Sequence, residues 1–135
     1  MPNIVEWDSS FSVGHGALDK QHQQLLAICN EMAKHVGGSQ PVSRARFHEI
    51  LNELTVYSRQ HFHVEETLLL EMGYAGLFDQ ETEHLAYSEK IAEWAFDATV
   101  GTLDMQKAHA FLADWWKNHI LVSDMRYRPL MESQH

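Results

Sequence analysis

The stretch His61-Phe62-His63-Val64-Glu65-Glu66 decides how the rest of the chain is interpreted. It lies in a run whose apolar residues recur every three or four positions, which predicts a helix with one buried face. The apolar members of that face are Phe47, Ile50, Leu51, Leu54, Tyr57, Leu68, Leu69 and Met72. His61 and Glu65 fall on the same face, one turn apart. Burying both without partners is costly. They could form a hydrogen bond with each other, and these two residues taken alone slightly favour that interpretation. The alternative is that both bind a metal such as iron, zinc or manganese.

The composition indicates one domain and excludes several kinds of partner. A chain of 135 residues can form one domain with one core, so residues 1–135 are predicted to be a single domain. No segment has the apolar length of a membrane span, and the N-terminus lacks a signal pattern. The net charge of −9 argues against nucleic acid and anionic membranes as partners. Cys29 is the only cysteine, so we expect no internal disulfide and a cytoplasmic location.

Apolar periodicity predicts four helices, at about 19–37, 43–72, 77–100 and 103–124. Asp19 and Ser43 are the expected N-caps of the first two. Residues 1–18 keep no period and are expected to form an arm that packs on the body, and Pro129 limits the end of the chain to a short tail. Short connections between four amphipathic helices predict an all-α, antiparallel up-down-up-down four-helix bundle.

Histidine is abundant, with ten residues in the chain. Four fall on the predicted buried faces, one on each helix: His22, His61, His84 and His119. In an antiparallel bundle with a rise of about 1.5 Å per residue, all four and Glu65 gather in the same half. One buried histidine is more often structural than a ligand, but four at one level favour a metal site. The others are expected on the surface or in the arm: His15, His35, His48, His63, His109 and His135.

Asp124 follows His119 by five residues. Five residues of a regular α-helix advance about 500°, which would separate the two side chains around the helix axis. They reach one metal only if the helix loosens or widens into a π-bulge, a feature that favours functional sites. The alternative is an exposed aspartate beyond a frayed helix end.

Together these residues resemble the hemerythrin family in its short bacterial form. The matching motifs are Leu18-Asp19-Lys20-Gln21-His22, His61-Phe62-x-x-Glu65-Glu66, Glu83-His84 and Trp115-x-x-x-His119-Ile120-x-x-x-Asp124, with Trp7 and Phe11-Ser12-Val13-Gly14 in the arm. The resemblance covers almost the whole chain. It implies a non-haem centre of two Fe ions, bridged by carboxylates and an oxo or hydroxo group, that binds O2 reversibly.

The resemblance also implies which residues bind the metal. Each iron would have two histidines, and two carboxylates would bridge the pair: His22 and His61, His84 and His119, and Glu65 and Asp124. The first iron would keep an open position for O2. Leu25, Trp115 and Trp116 match positions that wall the oxygen pocket, and Trp116 replaces the leucine common in the family, which would narrow the pocket.

The chain departs from the family pattern at Gln80, where the family usually has a histidine four residues before His84. A neutral amide is a much poorer iron ligand than an imidazole, so we expect Gln80 not to bind iron strongly. Glu81 is an alternative occupant, because residues three and four apart share a helix face. We therefore expect a centre that oxidises readily to the diferric form.

Two other functional classes stay open. With an extra open position, two ferrous ions could reduce O2 or peroxide, as an oxidase or peroxidase-like enzyme would. The ferritin-like signature needs Glu-x-x-His on two helices, and only Glu81-x-x-His84 fits it, which disfavours that family. A sensor would need an output domain or a protein partner, and the sequence does not identify one.

Overall fold

The structure is a computed structural model that describes residues 4–37 and 41–133. These residues form four long helices: α1 (Gly16–Ala33), α2 (Pro41–Glu71), α3 (Leu77–Val100) and α4 (Met105–Asn118). A π-turn (His119–Ser123), a 3-10 turn (Asp124–Tyr127) and the short helix α5 (Arg128–Glu132) follow α4 without a break. Helix α1 packs against α2 and α4, and α2 packs against α3, which makes the predicted four-helix bundle.

Helix α3 ends where it was predicted to end, whereas the end of α1 and two N-caps differ from the predictions. Helix α1 was predicted to run to residue 37 but ends at Ala33. Helix α3 spans the predicted residues and ends at Gly101, whose φ of 79° requires the left-handed region. The two predicted N-caps are wrong. Helix α1 begins at Gly16, after His15 accepts a hydrogen bond from the Leu18 N–H, and α2 begins at Pro41, where a missing N–H costs nothing.

The predicted arm packs along the bundle. Val5 is fixed to α1 by two hydrogen bonds: its N–H donates to Asn30 Oδ1 at 3.0 Å, and Asn30 Nδ2 donates to its carbonyl at 2.8 Å. Asp19, inside α1, accepts from the Ser12 hydroxyl at 2.6 Å and from the Val13 N–H at 2.9 Å. Its carboxylate therefore anchors the arm, which explains an acidic residue so near the helix start.

Two apolar clusters make up the core. The larger includes Leu25, Phe62 and Trp116, and the smaller includes Leu18 and Tyr127. Along each helix, the predicted ligands fall where the chain passes from one cluster to the other. A layer of polar side chains is thus enclosed by apolar packing above and below. No helix in the described ranges is long and apolar enough to cross a bilayer.

Two residues of α4 and the π-turn contradict the predicted buried face. His109 was expected at the surface but is only 1% exposed, and its Nε2–H donates to the Cys29 carbonyl at 3.2 Å. Val122 follows His119 by three residues, which on a regular α-helix would place it on the same buried face, but it is exposed. The buried face of α4 is wider than one stripe because α4 packs against α1, and the π-turn rotates Val122 outward. His135 and the residues 38–40 lie outside the described ranges.

Candidate metal centre

The six predicted ligands come together in the polar layer. His22 lies on α1, His61 and Glu65 on α2, and His84 on α3. His119 begins the π-turn and Asp124 begins the 3-10 turn. None of the six side chains is more than 3% exposed. The i, i+4 spacing on α2 places His61 and Glu65 on one face, so a regular helix suffices there.

Glu65 faces two pairs of histidines, one with each carboxylate oxygen. Its Oε2 lies 3.7 Å from His22 Nε2 and 3.6 Å from His61 Nε2. Its Oε1 lies 2.9 Å from His84 Nε2 and 3.9 Å from His119 Nε2. These contacts define two groups of potential ligands that share Glu65: His22 with His61, and His84 with His119.

Asp124, which follows the π-turn, also contacts both pairs of histidines. Its Oδ2 lies 3.2 Å from His22 Nε2, and its Oδ1 lies 3.1 Å from His119 Nε2. Two carboxylates that each face both histidine pairs match the arrangement needed to bridge two cations. Carboxylates and imidazoles are also the ligands that iron and related metals accept.

The π-turn brings Asp124 to the centre. Residues His119–Ser123 are wound as a π-helix, in which the Asp124 N–H donates to the His119 carbonyl five residues earlier. The wider turn cancels the rotation that would separate the two side chains on an α-helix. The widened turn that a shared site would need is therefore present, and the alternative of an exposed aspartate beyond a frayed helix end is wrong, because Asp124 is fully buried.

The buried atoms at the centre lack partners of their own. His22 Nε2, His61 Nε2, Glu65 Oε1 and Asp124 Oδ2 are buried without a hydrogen bond. Such atoms are expensive to bury unless something else satisfies them. Metal cations would satisfy all four at once, so the residues present fit a two-metal centre.

The charges of the centre are strongly coupled. Burial alone would lower the pKa of His22, but the carboxylates of Asp124 and Glu65 outweigh it and raise that pKa to about 9. Burial dominates at His61, whose pKa falls. Burial would raise the pKa of Glu65, yet the imidazoles of His119, His22 and His61 keep it well below its usual value. The carboxylate is therefore ionised and available to a cation.

Hydrogen bonds on the outer side fix two of the imidazoles. The His61 Nδ1–H donates to Gln21 Oε1 at 2.7 Å, and the His84 Nδ1–H donates to Glu66 Oε2 at 2.6 Å. Each bond leaves the lone pair of Nε2 directed into the centre, as a metal ligand requires. Both partners belong to the sequence motifs, but these contacts were not predicted.

Tyr127 is a further candidate for the site, and it was not predicted from the sequence. It is fully buried, and its hydroxyl donates to Glu65 Oε2 at 2.7 Å. Burial, with the charges of Glu65 and Asp124, raises the pKa of Tyr127 well above its usual value, so the hydroxyl stays protonated. Its position near the end of the chain, after the π-turn, gave no periodic signal.

Gln80 is buried beside the centre and Glu81 is not. The Gln80 amide nitrogen donates to Asp124 Oδ1 at 3.1 Å and to the Ser123 carbonyl at 3.2 Å. Both neighbours only accept, so the amide orientation is fixed by chemistry. Glu81 lies on the exposed face of α3, so its expected place near the metal is wrong. Glu81 precedes His84 by three residues, which places its side chain about 60° away around the helix axis, toward solvent.

The three residues expected to wall the oxygen pocket differ in burial. Leu25 and Trp116 are fully buried, and the Trp116 Nε1–H donates to the Tyr87 hydroxyl at 3.0 Å. Trp115 is half-buried, stacks on His119 at 4.4 Å between ring centroids, and lines a surface groove. Phe62, which was not predicted to be buried, stacks on His84 at 3.9 Å and completes an aromatic wall with Trp116.

A bundle of this kind with a buried His and carboxylate layer defines a class of metal-binding helical proteins, and comparisons identify the family. The hemerythrin HHE cation binding domain model matches residues 13–131. A hemerythrin-like protein of Naegleria gruberi is 30% identical over 132 residues, covering 97% of each chain. A bacteriohemerythrin of Stenotrophomonas maltophilia is 26% identical, covering 92% of this chain and 79% of its own.

Solved structures agree with the sequence comparisons. A wild-type hemerythrin crystal structure superposes with a TM-score of 0.88 at 25% identity, covering 96% of this chain and 99% of that one. The chain therefore belongs to the hemerythrin family. Members of this family generally bind O2 at a non-haem di-iron centre.

Proposed function

We propose that this chain binds O2 reversibly at two iron ions held by the six converging side chains. His22 and His61 would hold one ion, His84 and His119 the other, and Glu65 and Asp124 would lie across both. The observation that carries the proposal is that each carboxylate faces both histidine pairs with a different oxygen. When bound, two ferrous ions supply the open coordination position and the electrons that O2 binding needs.

The surrounding residues support this function by orienting ligands and excluding water. Gln21 and Glu66 keep His61 and His84 in the tautomer that presents Nε2 inward. Trp116 packs against His61, with 5.7 Å between the ring centroids, and Leu25 is fully buried in the same apolar cluster as Trp116. A dry wall limits the access of water and protons to the bound ligand, which favours release of intact O2.

We further propose that Gln80 does not bind iron. Only its amide oxygen could bind a cation, and that oxygen is buried without a hydrogen bond. A neutral amide oxygen is a much weaker iron ligand than an imidazole, and the chain already supplies four buried imidazoles to the centre. One iron then has a coordination position for water, and the centre passes readily to the diferric form. The same open position would also suit a second candidate, an oxidase or peroxidase-like enzyme, and the observation that favours it is the buried amide of Gln80 beside Asp124.

Metal analysis combined with optical spectra tests both candidates. We expect two irons per chain and visible bands that appear with O2 and vanish when it is removed from the anaerobically reduced protein. One-way oxidation with consumption of peroxide would favour the enzyme. Zinc, or a single metal per chain, would overturn both.

Restoring an imidazole tests the role of Gln80. Gln80→His should slow autoxidation of the reduced protein, because a stronger ligand would fill the open position. Gln60→His, on the exposed side of α2, is the matched control and should leave the rate unchanged. Slow autoxidation of the unmodified chain, with no effect of Gln80→His, would contradict the proposal.

A further inference from the structure

The outer side of α3 carries a line of large apolar side chains that face solvent. Phe78 is 76% exposed, Leu85 62%, Phe96 65% and Val100 53%. At about 100° per residue, all four lie within a sector of about 60° on the helix surface. They span about 33 Å along the helix axis at about 1.5 Å per residue. We call these four residues the α3 stripe.

The α3 stripe, which Glu89 interrupts at its centre, exposes about as much apolar surface as the largest patch of a typical monomer. Taking about 200 Å² for a whole phenylalanine side chain, Phe78 and Phe96 alone expose about 280 Å². The largest apolar patch of a typical monomer is about 300–600 Å², and patches of that size often mark interaction sites. With Leu85 and Val100 the stripe enters this range, and its length fits one partner helix.

Charges around the stripe decide what kind of helix fits. Helix α3 contains six acidic residues and one basic residue. Glu81, Glu89 and Glu93 border or interrupt the stripe and are exposed. The single lysine, Lys90, is already paired with Glu93 at 3.3 Å and lies over the Trp94 ring at 4.8 Å. Leu85 borders a surface groove between α2 and α3, and among the described residues that line this groove Arg59 is the one arginine or lysine.

The position of Glu89 argues against a second copy of the chain as the occupant. Glu89 lies about 20° from Phe78 around the helix, inside the sector of the stripe. It is also midway between Phe78 and Val100 in sequence. A two-fold antiparallel pairing of the stripe with itself would place the two Glu89 carboxylates opposite each other. Like charges in a partly dehydrated interface are costly, so a cationic partner is favoured.

We infer that the α3 stripe docks an amphipathic helix of another protein, with a lysine or arginine at the centre of its apolar face and basic residues along its edges. Leu85 also borders a groove that reaches His84 and Glu66, so the docked helix would lie beside the metal centre. The inference rests on surface residues and holds whether or not the centre contains iron.

A charge exchange between the protein and a synthetic peptide tests the inference. The probes are two fluorescently labelled helical peptides of leucine and lysine, about 22 residues long, with lysine or glutamate at the centre of the apolar face. At about 0.15 M salt, fluorescence anisotropy should show that the unmodified chain prefers the lysine peptide by about tenfold. Glu89→Lys should reverse that preference.

Two serine substitutions separate docking from general attraction to an acidic protein. Phe96→Ser should weaken binding of the lysine peptide by about tenfold or more. Leu70→Ser is the matched control, because Leu70 is 68% exposed on α2 and lies off the stripe. Circular dichroism checks that both variants fold. Equal effects of the two substitutions would overturn the inference, as would an unchanged preference in Glu89→Lys. So would dimerisation in sedimentation experiments that Phe96→Ser abolishes.

Discussion

Tyr127→Phe tests whether a residue outside the predicted ligands holds the metal centre together. The substitution removes one oxygen and leaves the ring in place, between Glu65 and the smaller apolar cluster. The lost hydrogen bond is 2.7 Å long, joins a protonated hydroxyl to an ionised carboxylate, and is fully buried. A hydrogen bond to a charged group contributes about 1.5–3 kcal/mol.

That energy should appear in two measurements. Unfolding of the metal-free protein by urea should become easier by about 1.5–3 kcal/mol, because Glu65 loses a buried donor. Competition with a chelator should show metal affinity lower by about 10-fold to 100-fold, the usual effect of losing an outer hydrogen bond to a metal ligand. Tyr57→Phe, at a half-buried tyrosine, is the control. Unchanged or tighter metal binding in Tyr127→Phe would refute the reasoning that Tyr127 preorganises Glu65.

Three further predictions concern stability. Burial lowers the pKa of His109, so below about pH 6.5 the unfolded chain takes up a proton that the folded chain resists. The unfolding free energy therefore decreases as the pH decreases, by at most about 1.4 kcal/mol per pH unit. His109→Gln should reduce the difference in unfolding free energy between pH 7 and pH 5, and an unchanged difference would contradict this. Trp116→Leu should cost about 2–4 kcal/mol in urea unfolding, since a fully buried ring is lost, whereas a cost below about 1 kcal/mol would indicate a loosely packed wall. Removing the metal with a chelator should lower the unfolding free energy by about 4 kcal/mol if metal was present at about 1000 times its Kd, and no shift in melting temperature would show that the centre does not support the fold.

The features that regular periodicity controls were predictable from the sequence. His61 and Glu65 share a face because four residues make about one turn, and their neighbours on the stripe are apolar. The π-turn could also be foreseen, because the spacing of five between His119 and Asp124 is incompatible with a shared site on an α-helix. The spacing of four has one geometric consequence, whereas the spacing of five left two alternatives, a widened turn or an exposed aspartate, and the structure contains the widened turn.

Features that depend on contacts between distant segments could not be predicted in this way. His109 lies off the stripe of α4, yet it is buried because the Cys29 carbonyl on α1 accepts its N–H. Asp19 has the character of a cap but accepts hydrogen bonds from the arm instead. Tyr127 reaches Glu65 across 62 residues of sequence. Hydrophobic periodicity describes one helix at a time and contains no information on which polar group a neighbouring segment presents.

Gln80 lies on a predictable helix face, but its hydrogen bonds to a distant segment were not predictable. Those bonds explain why an amide suits this position. A π-turn displaces backbone carbonyls from the regular helical pattern, and the carbonyl of Ser123, the last residue of the turn, accepts a hydrogen bond from the Gln80 side chain. The Gln80 amide supplies two N–H groups, one for that carbonyl and one for Asp124 Oδ1. An imidazole bound to a metal has one N–H left, so it could not satisfy both acceptors. The amide thus stabilises the turn that delivers Asp124, and under our proposal the cost is a position on one iron that the chain does not fill.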